Sequence, residues 1–250
     1  MSQRRKLAAG NWKMSGTTAS LVEVEKILEL HPQPGCDVMI APPATLIAQL
    51  AWRCREKILK IGGQDCHRKP SGAHTGDLSA PMLADAGTSH VILGHSERRT
   101  DHGEVGAMIA AKTQAAWTAG LIAVVCVSES ERDRDAGITL SVVEMQLSKS
   151  LPEGVSAENL VVAYEPIWAI GTGRTPSTAE IAEVHDFMRK TLTARFGTTT
   201  EGIRLLYGDS VKPGNATEIF AISNVDGALV GRASLKADDF GPIIEALEKA

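Results

Sequence analysis

The 250-residue sequence lacks the signatures of several broad protein classes. It has no basic excess, since 26 Lys and Arg stand against 30 Asp and Glu and the formal net charge is −4 at pH 7; a nucleic-acid-binding protein is therefore not indicated. No stretch approaches the ~18 uninterrupted apolar residues of a membrane span, and the apolar part of residues 1–10 is too short for a signal peptide. We expect a cytoplasmic protein that binds a small molecule and has neither nucleic acid nor a membrane as partner.

Cysteine is scarce and irregularly placed. Cys36, Cys54, Cys66 and Cys126 show no Cys-x-x-Cys spacing, so neither a zinc site nor a disulfide framework is indicated. Cys126 lies in the apolar run 121–127 and is predicted to be a buried small hydrophobe. The alternative, a catalytic thiol, needs exposure and a positive neighbourhood.

Proline-rich, serine-rich and low-complexity linkers are also absent, which favours one domain over residues 1–250. Short apolar runs recur along the chain, separated mostly by stretches of helical period. The eight runs cover residues 7–9, 38–41, 58–61, 91–93, 121–127, 160–163, 203–206 and 228–230. The helical stretches include 18–30, 104–119, 142–151, 179–196 and 240–247. This rhythm predicts an α/β protein with a closed parallel (β/α)₈ barrel.

A doubly wound open sheet is the structural alternative to the barrel. Such a sheet usually carries a Gly-x-Gly-x-x-Gly turn after its first strand. Here Gly10 is followed by Asn11, Trp12 and Lys13, so that turn is missing.

Polar side chains follow the apolar runs, where the strands of a barrel would reach its C-terminal mouth. They include Asn11, Lys13, Gln64, Asp65, His95, Ser96, Glu97 and Glu165, together with the turns Gly208-Asp209-Ser210 and Gly231-Arg232-Ala233. If the barrel closes, a lysine, a histidine, a carboxylate and two glycine-containing turns converge on one mouth. Two such turns after the last two strands match the usual phosphate site of these barrels.

Glu165 is the most informative of these residues, because it stands between a continuous apolar strand and an apolar loop with two glycines. Such a loop can swing over a site and expel water. An apolar flap beside a carboxylate suggests a base strengthened by desolvation. The predicted flap comprises Pro166, Ile167, Trp168, Ala169, Ile170, Gly171, Thr172, Gly173, Arg174, Thr175 and Pro176.

The other candidates each have a structural interpretation. Lys13 alone is typical of a solvated cation, but at a strand end it can neutralise a phosphate or an enolate oxygen. His95 alone is typical of a structural histidine, but the helical turn beginning at Ser96 can hold one ring nitrogen with its amides and keep the ring neutral. Glu97 fits an ion pair with a nearby cation or a proton relay. Asn11 is suited to orienting Lys13 or the substrate.

Six motifs carry a family resemblance along the whole chain. They are residues 11–14, 72–76, 93–99, 163–173, 207–212 and 226–235. In this order they resemble the triosephosphate isomerase family.

The resemblance implies a homodimer of TIM barrels that interconverts dihydroxyacetone phosphate and D-glyceraldehyde 3-phosphate, in glycolysis and gluconeogenesis, without cofactor or metal. It implies that Glu165 is the base, His95 the electrophile that polarises the carbonyl, and Lys13 the charge that stabilises the enediolate, with the neutral histidine and closing loop that are general features of this enzyme. It further implies that Ser96 and Glu97 support the site.

Substrate binding is assigned in the same way. The resemblance implies that Asn11 and Lys13 contact the substrate, and that Gly171 and Ser210 offer amides to its phosphate beside Gly231 and Arg232. It also implies that the loop 72–76 crosses to a partner subunit, which places Thr75 near the partner's site.

The chain departs from the family pattern in both phosphate-binding turns. Two glycines are usual where Gly208-Asp209 and Gly231-Arg232 stand here. A carboxylate near a phosphate dianion should weaken binding, and we hypothesise that Asp209 and Arg232 pair across the rim and leave the backbone amides free. Ser128 also replaces a usual glycine, and Pro176 should stiffen the end of the flap.

Three other functions remain open at this stage. The same isomerisation could act on a four-carbon tetrulose phosphate. A phosphosugar lyase or aldolase could use Lys13 as a Schiff base. A barrel retained only for binding or structure would usually have lost Glu165 or Lys13, and neither is lost.

Overall fold

The computed structural model describes residues 4–169, 174–208 and 210–250. Within these ranges eight parallel strands pair in chain order, and β1 pairs with β8 to close a barrel. The strands are β1 Leu7–Asn11, β2 Asp37–Ala41, β3 Lys60–Gly63, β4 His90–Leu93, β5 Ile122–Glu129, β6 Leu160–Pro166, β7 Arg204–Tyr207 and β8 Gly227–Val230. The predicted (β/α)₈ fold is confirmed, and the open-sheet alternative is excluded.

Helices cover the outside of the barrel between the strands. They are α1 Leu21–Leu30, α2 Ala44–Cys54, α3 Ala80–Asp85, α4 Ser96–Asp101, α5 Gly106–Thr118, α6 Glu131–Asp135, α7 Thr139–Ser150, α8 Thr178–Phe196, α9 Ala216–Phe220 and α10 Ala237–Glu248. Short 3₁₀ turns cover Thr18–Ser20, Ile167–Ala169, Thr198–Gly202 and Arg232–Leu235. None of the helices in the described ranges is long and apolar enough to cross a bilayer.

Side-chain alternation along the strands divides the core into two layers. Alternate residues such as Leu7, Met39, Ile92 and Val161 form a small cluster, and the residues between them join the larger cluster that includes the helices. Because successive side chains of a strand point to opposite faces, the small cluster fills the barrel interior. The strands are buried on both faces, which explains why their sequences are continuous apolar runs.

Several predicted boundaries are wrong by a few residues. β3 begins at Lys60, so only the last two residues of the apolar run 58–61 belong to the strand. α5 begins at Gly106 rather than Glu104. α7 begins at Thr139, three residues before the predicted start. The helix over Ala44–Cys54 is not among the predicted segments, and Pro43 stands at its N-cap position.

The four cysteines are free and buried. Cys126 has no exposed surface, as the sequence predicts, and burial raises the pKa of its thiol well above the usual value. A thiol held in the protonated form is a poor nucleophile. The interpretation of Cys126 as a core residue is therefore the one that the structure supports.

Candidate active site

The C-terminal ends of the strands surround one cavity of about 660 Å³. Its lining includes Asn11 at the end of β1 and Lys13 after it, His95 after β4, Glu165 on β6, Gly208 and Ser210 after β7, and Gly231 and Arg232 after β8. The structure thus brings together the predicted catalytic residues and both glycine-containing turns, whereas Gln64, Asp65, Ser96 and Glu97 are not among the residues that line this cavity. Val211, Lys212, Pro213, Leu229, Val230, Ala233 and Asp239 complete the lining.

Glu165 is the most enclosed charged group in this cavity. Its exposed fraction is 3%, since it is still within β6. Oε1 lies 2.8 Å from Nε2 of His95, and Oε2 accepts a hydrogen bond of 3.0 Å from the backbone amide of Ser96. Both carboxylate oxygens are therefore held by the turn that follows β4.

The pKa of Glu165 differs in direction from the sequence expectation. Burial raises it, but the charge and hydrogen bond of His95, the Ser96 amide and the charge of Lys13 together outweigh burial and lower the pKa below its usual value. The expectation of a base strengthened by desolvation is thus wrong in direction for the pKa of Glu165 in this structure. The reason is that β6 alone does not reveal the donors that β1 and β4 supply.

His95 is held at both ring nitrogens. The amide of Glu97 donates to Nδ1 over 3.3 Å, so Nδ1 carries a lone pair and Nε2 carries the proton directed at Glu165. Burial lowers the pKa of His95, but the Glu165 carboxylate overcomes this and raises the pKa above the usual value. Burial favours the neutral ring, whereas the charges of Glu165 and Glu97 both favour the protonated one.

Lys13 is placed by its backbone as well as by its charge. Its φ of 51° lies in the left-handed region, which non-glycine residues rarely occupy. The side chain of Asn11 accepts from its amide at 3.0 Å, and Gln64 donates to its carbonyl at 2.9 Å. The ammonium lies 2.6 Å from Oε1 of Glu97, so the structure shows the ion-pair alternative for Glu97.

The glycine-containing turn after β8 lies close to Lys13. A Cβ on Gly231 would lie 3.7 Å from Cε of Lys13, so the turn after β8 passes beside the ammonium. Arg232 begins a 3₁₀ turn there, and its side chain is exposed. The hypothesised pairing of Arg232 with Asp209 lies outside the described residues.

The two ends of the predicted flap contact the last residue of β5 and the first residue of α6. The indole of Trp168 and the hydroxyl of Tyr164 each donate to Oε1 of Glu129, over 2.7 and 2.8 Å. After the loop, Arg174 lies 2.8 Å from Oε1 of Glu131. The predicted apolar tip Ile170 and the residues Gly171, Thr172 and Gly173 lie outside the described residues.

A buried ionic cluster behind the site is not anticipated by the sequence. Lys112 lies 2.7 Å from Oδ2 of Asp65 and 2.6 Å from Oε1 of Glu104. Arg98 contacts the same two carboxylates at 2.9 and 2.7 Å. Because removal of one partner would leave an uncompensated buried charge, this cluster fixes α4, which carries Glu97, against β3 and α5. Asp65 is distant in sequence from the other three residues, so no local pattern predicts its place in the cluster.

Comparisons with known proteins agree with this geometry. The family model described as triosephosphate isomerase matches residues 6–247. This chain belongs to the triosephosphate isomerase family. A triosephosphate isomerase of Ruegeria sp. (strain TM1040) is 63% identical over 97% of this chain and 98% of its own length. That of Jannaschia sp. (strain CCS1) is 62% identical over 98% and 99%.

A solved structure gives the same result in three dimensions. The crystal structure of triosephosphate isomerase from Bartonella henselae superimposes with a TM-score of 0.92 and 46% sequence identity, covering 97% of this chain and 98% of that one. The structural match therefore extends over nearly the full length of both proteins, and the fold of this chain is the TIM barrel of the family.

Proposed function

We propose that this chain is a cytoplasmic triosephosphate isomerase that interconverts dihydroxyacetone phosphate and D-glyceraldehyde 3-phosphate by proton transfer through an enediolate. The observation that carries the proposal is the enclosed carboxylate of Glu165, 2.8 Å from Nε2 of His95 in a cavity that also holds Lys13. A proton next to a carbonyl is weakly acidic. Its removal requires a desolvated base and donors aimed at the oxygen where charge accumulates, and this site has both.

Substrate binding changes the chemistry of Glu165. The substrate carbonyl accepts a hydrogen bond from Nε2 of His95. Glu165 then loses the partner that lowers its pKa most. The opposing effect, burial, remains and raises the pKa of the carboxylate. Glu165 is therefore paired with His95 before the substrate binds and becomes a stronger base once it has bound.

His95 and Lys13 act on the developing enediolate. Nδ1 of His95 accepts from the Glu97 amide. The neutral ring therefore donates a hydrogen bond from Nε2 to the substrate oxygen and carries no charge itself. The Lys13 ammonium supplies the positive charge, and Asn11 fixes its backbone. Ser96 contributes its amide to Glu165 and Glu97 contributes the ion pair with Lys13.

The substrate phosphate is bound between the turns after β7 and β8. Ser210 and Gly231 line the cavity there, and the first amides of the 3₁₀ turn at Arg232 have no partner within that turn. Arg232 adds a guanidinium, and Gly171 is proposed to add an amide from the flap. The flap from Pro166 to Pro176 excludes water, which protects the enediolate phosphate from elimination.

The alternatives are less well supported. A Schiff base requires the free amine of Lys13, whereas this ammonium forms an ion pair of 2.6 Å with Glu97. A purely structural barrel has no need for a buried carboxylate directed at a histidine. The four-carbon phosphosugar differs from the three-carbon one only in length, and the family membership supports the three-carbon substrate.

We also propose that the active form is a homodimer. Thr75 is exposed on the loop between β3 and α3, and Met14, one residue after Lys13, is 99% exposed. Covering this side chain with a partner surface would remove its apolar atoms from water, which is favourable. The partner's Thr75 loop is the proposed cover for this residue.

The decisive experiment for the reaction is a coupled isomerase assay on the wild type and Glu165→Asp. The shorter side chain retracts the carboxylate by about one methylene, and misplacement of about 1 Å can cost on the order of 100-fold in rate. We expect a large fall in kcat with a modest change in KM. Glu245→Asp, an exposed position on α10, is the matched control and should behave as wild type.

Two results would reject the assignment. Equal turnover of wild type and Glu165→Asp would show that another group is the base. Trapping of substrate on Lys13 by borohydride would show a Schiff-base enzyme instead.

A further inference from the structure

A cluster of two imidazoles and one carboxylate lies outside the active site. His67 follows β3, and His74 and Asp77 lie on the loop that leads to α3. One ligand atom from each residue lies within 4.8 Å of the other two. The two histidine rings have centroids 4.0 Å apart, and Nε2 of His67 is 3.9 Å from Oδ2 of Asp77.

The backbone explains why these separated residues meet. The amide of His67 donates to the carbonyl of Leu78 over 2.7 Å, and His67 forms an isolated parallel bridge with Ser79. The two ends of the loop are thus held together at its base. The amide of Asp77 donates to the carbonyl of His74 over 3.0 Å, which turns both residues back toward His67.

We propose that His67, His74 and Asp77 form a binding site for a divalent transition metal of the Zn²⁺ type. Neutral imidazole nitrogen and carboxylate oxygen are both ordinary Zn²⁺ ligands, and two histidines select against Mg²⁺ and Ca²⁺, which prefer oxygen. Three protein ligands leave a fourth tetrahedral position for water. The sequence predicts no metal site, because it contains no Cys-x-x-Cys spacing. The three ligands lie close together only in the folded loop.

Metal binding has a defined structural cost at His67. The Lys69 amide donates to Nδ1 of His67 over 3.1 Å. When the metal takes the lone pair of Nε2, the proton of the neutral ring moves to Nδ1, so the Lys69 amide must release it. Lys69 is exposed, and its amide can turn to water. The metal also draws the three ligands together, since Zn²⁺ bonds to nitrogen and oxygen are about 2.0–2.2 Å long.

The metal would fix the loop at its base through His67 and Asp77 and at its tip through His74. The loop tip, residues 72–76, is the segment proposed to reach the partner subunit. A metal between His67, His74 and Asp77 therefore restricts the positions from which Thr75 can act, although the metal site itself does not depend on the proposed isomerase activity.

Calorimetric titration of the metal-stripped full-length protein with ZnCl₂ tests the proposal. We expect one site per chain that millimolar MgCl₂ does not compete for, and at least a tenfold loss of affinity in His74→Ala and in Asp77→Asn, since even outer-shell changes at metal sites cost about 10–100-fold. His102→Ala is the matched control, because His102 lines the same surface cavity as His67 and Asp77 but is not part of the cluster. The buried cysteines do not offer a competing site.

A second measurement locates the metal without a mutation. In ¹⁵N-resolved spectra of the wild type, ZnCl₂ should shift the Lys69 amide and the imidazole signals of His67 and His74. Absence of saturable Zn²⁺ binding, equal affinity in wild type and His74→Ala, or shifts confined to other residues would overturn the proposal.

Discussion

The backbone of Gly208 lies directly behind the side chain of Glu165. A Cβ at position 208 would come within 2.9 Å of Cγ of Glu165 and 3.2 Å of the carbonyl of Tyr164. The Gly208 amide also donates to that carbonyl over 2.8 Å. The end of β7 therefore sets the space in which the carboxylate of β6 can move.

Gly208→Ala should consequently damage catalysis. The added methyl group displaces Glu165 or the end of β7, and we expect kcat to fall about 10- to 100-fold with a stability loss of about 1–3 kcal/mol from overpacking. Steady-state kinetics and urea unfolding measure the two effects. Gly214→Ala is the control, because a Cβ there has no atom within 4 Å; equal kinetics for both variants would contradict the interpretation.

Arg232→Gln should weaken substrate binding without abolishing the reaction. Arg232 is exposed at the cavity rim, and exposed charge pairs contribute roughly 0.2–1 kcal/mol, which corresponds to a rise in KM of about 1.4- to fivefold. The salt dependence of kcat/KM should also become weaker. The control is Arg55→Gln, because the Arg55 guanidinium lies over Trp52 and Arg55 is not among the residues that line the cavity. An unchanged KM and salt dependence in Arg232→Gln would place its side chain away from the phosphate.

Thr75→Arg should dissociate the proposed dimer. A long charged side chain inserted into a complementary surface must be desolvated without a partner, so we expect a monomer in sedimentation velocity and a parallel loss of turnover. Thr118→Arg, on the exposed end of α5, should leave both properties unchanged. A wild-type monomer with full activity would contradict the dimer.

Acid should destabilise the fold partly through His185. This residue has no exposed surface, Nδ1 lies 2.9 Å from the carbonyl of Asn224, and burial lowers its pKa to about 4. An unfolded histidine has a pKa of about 6.5. Between these values the unfolded chain binds more protons, so this contribution is complete above the unfolded value and is lost as the pH falls toward the folded one, by up to about 1.4 kcal/mol per pH unit.

His185→Gln removes that titration. Urea unfolding at one protein concentration, from pH 7 to pH 4.5, should therefore give a shallower fall in stability for His185→Gln than for wild type. His102→Gln, which changes an exposed histidine, should keep the wild-type slope. Identical slopes in wild type and His185→Gln would show that the buried ring is not responsible.

Much of the fold could be predicted because each strand is a local feature. A strand buried on both faces is apolar throughout, so a continuous apolar run such as 160–163 can be recognised as a strand from the sequence alone. Strand ends in a parallel barrel meet at one mouth, so the positions of Lys13, His95 and Glu165 follow from topology. Helix starts were less predictable: α7 begins three residues before its apolar pattern does, at Thr139.

The details that failed depend on contacts between distant segments. The pKa direction of Glu165 is set by Ser96 and His95, about 70 positions earlier in the chain, which no periodicity relates to β6. The role of Gly208 appears only when β7 lies beside β6. Likewise, the left-handed backbone of Lys13 has no signal in its residue type, because lysine does not favour that conformation.

Glu97 approaches two of the proposed catalytic groups at once, with Oε1 at 2.6 Å from the ammonium of Lys13 and Oε2 at 3.6 Å from Nδ1 of His95. This one carboxylate thus pairs with Lys13, and its charge raises the pKa of His95. Their contributions to the rate are consequently coupled, and in a double-mutant cycle the penalties of altering Lys13 and His95 should not add.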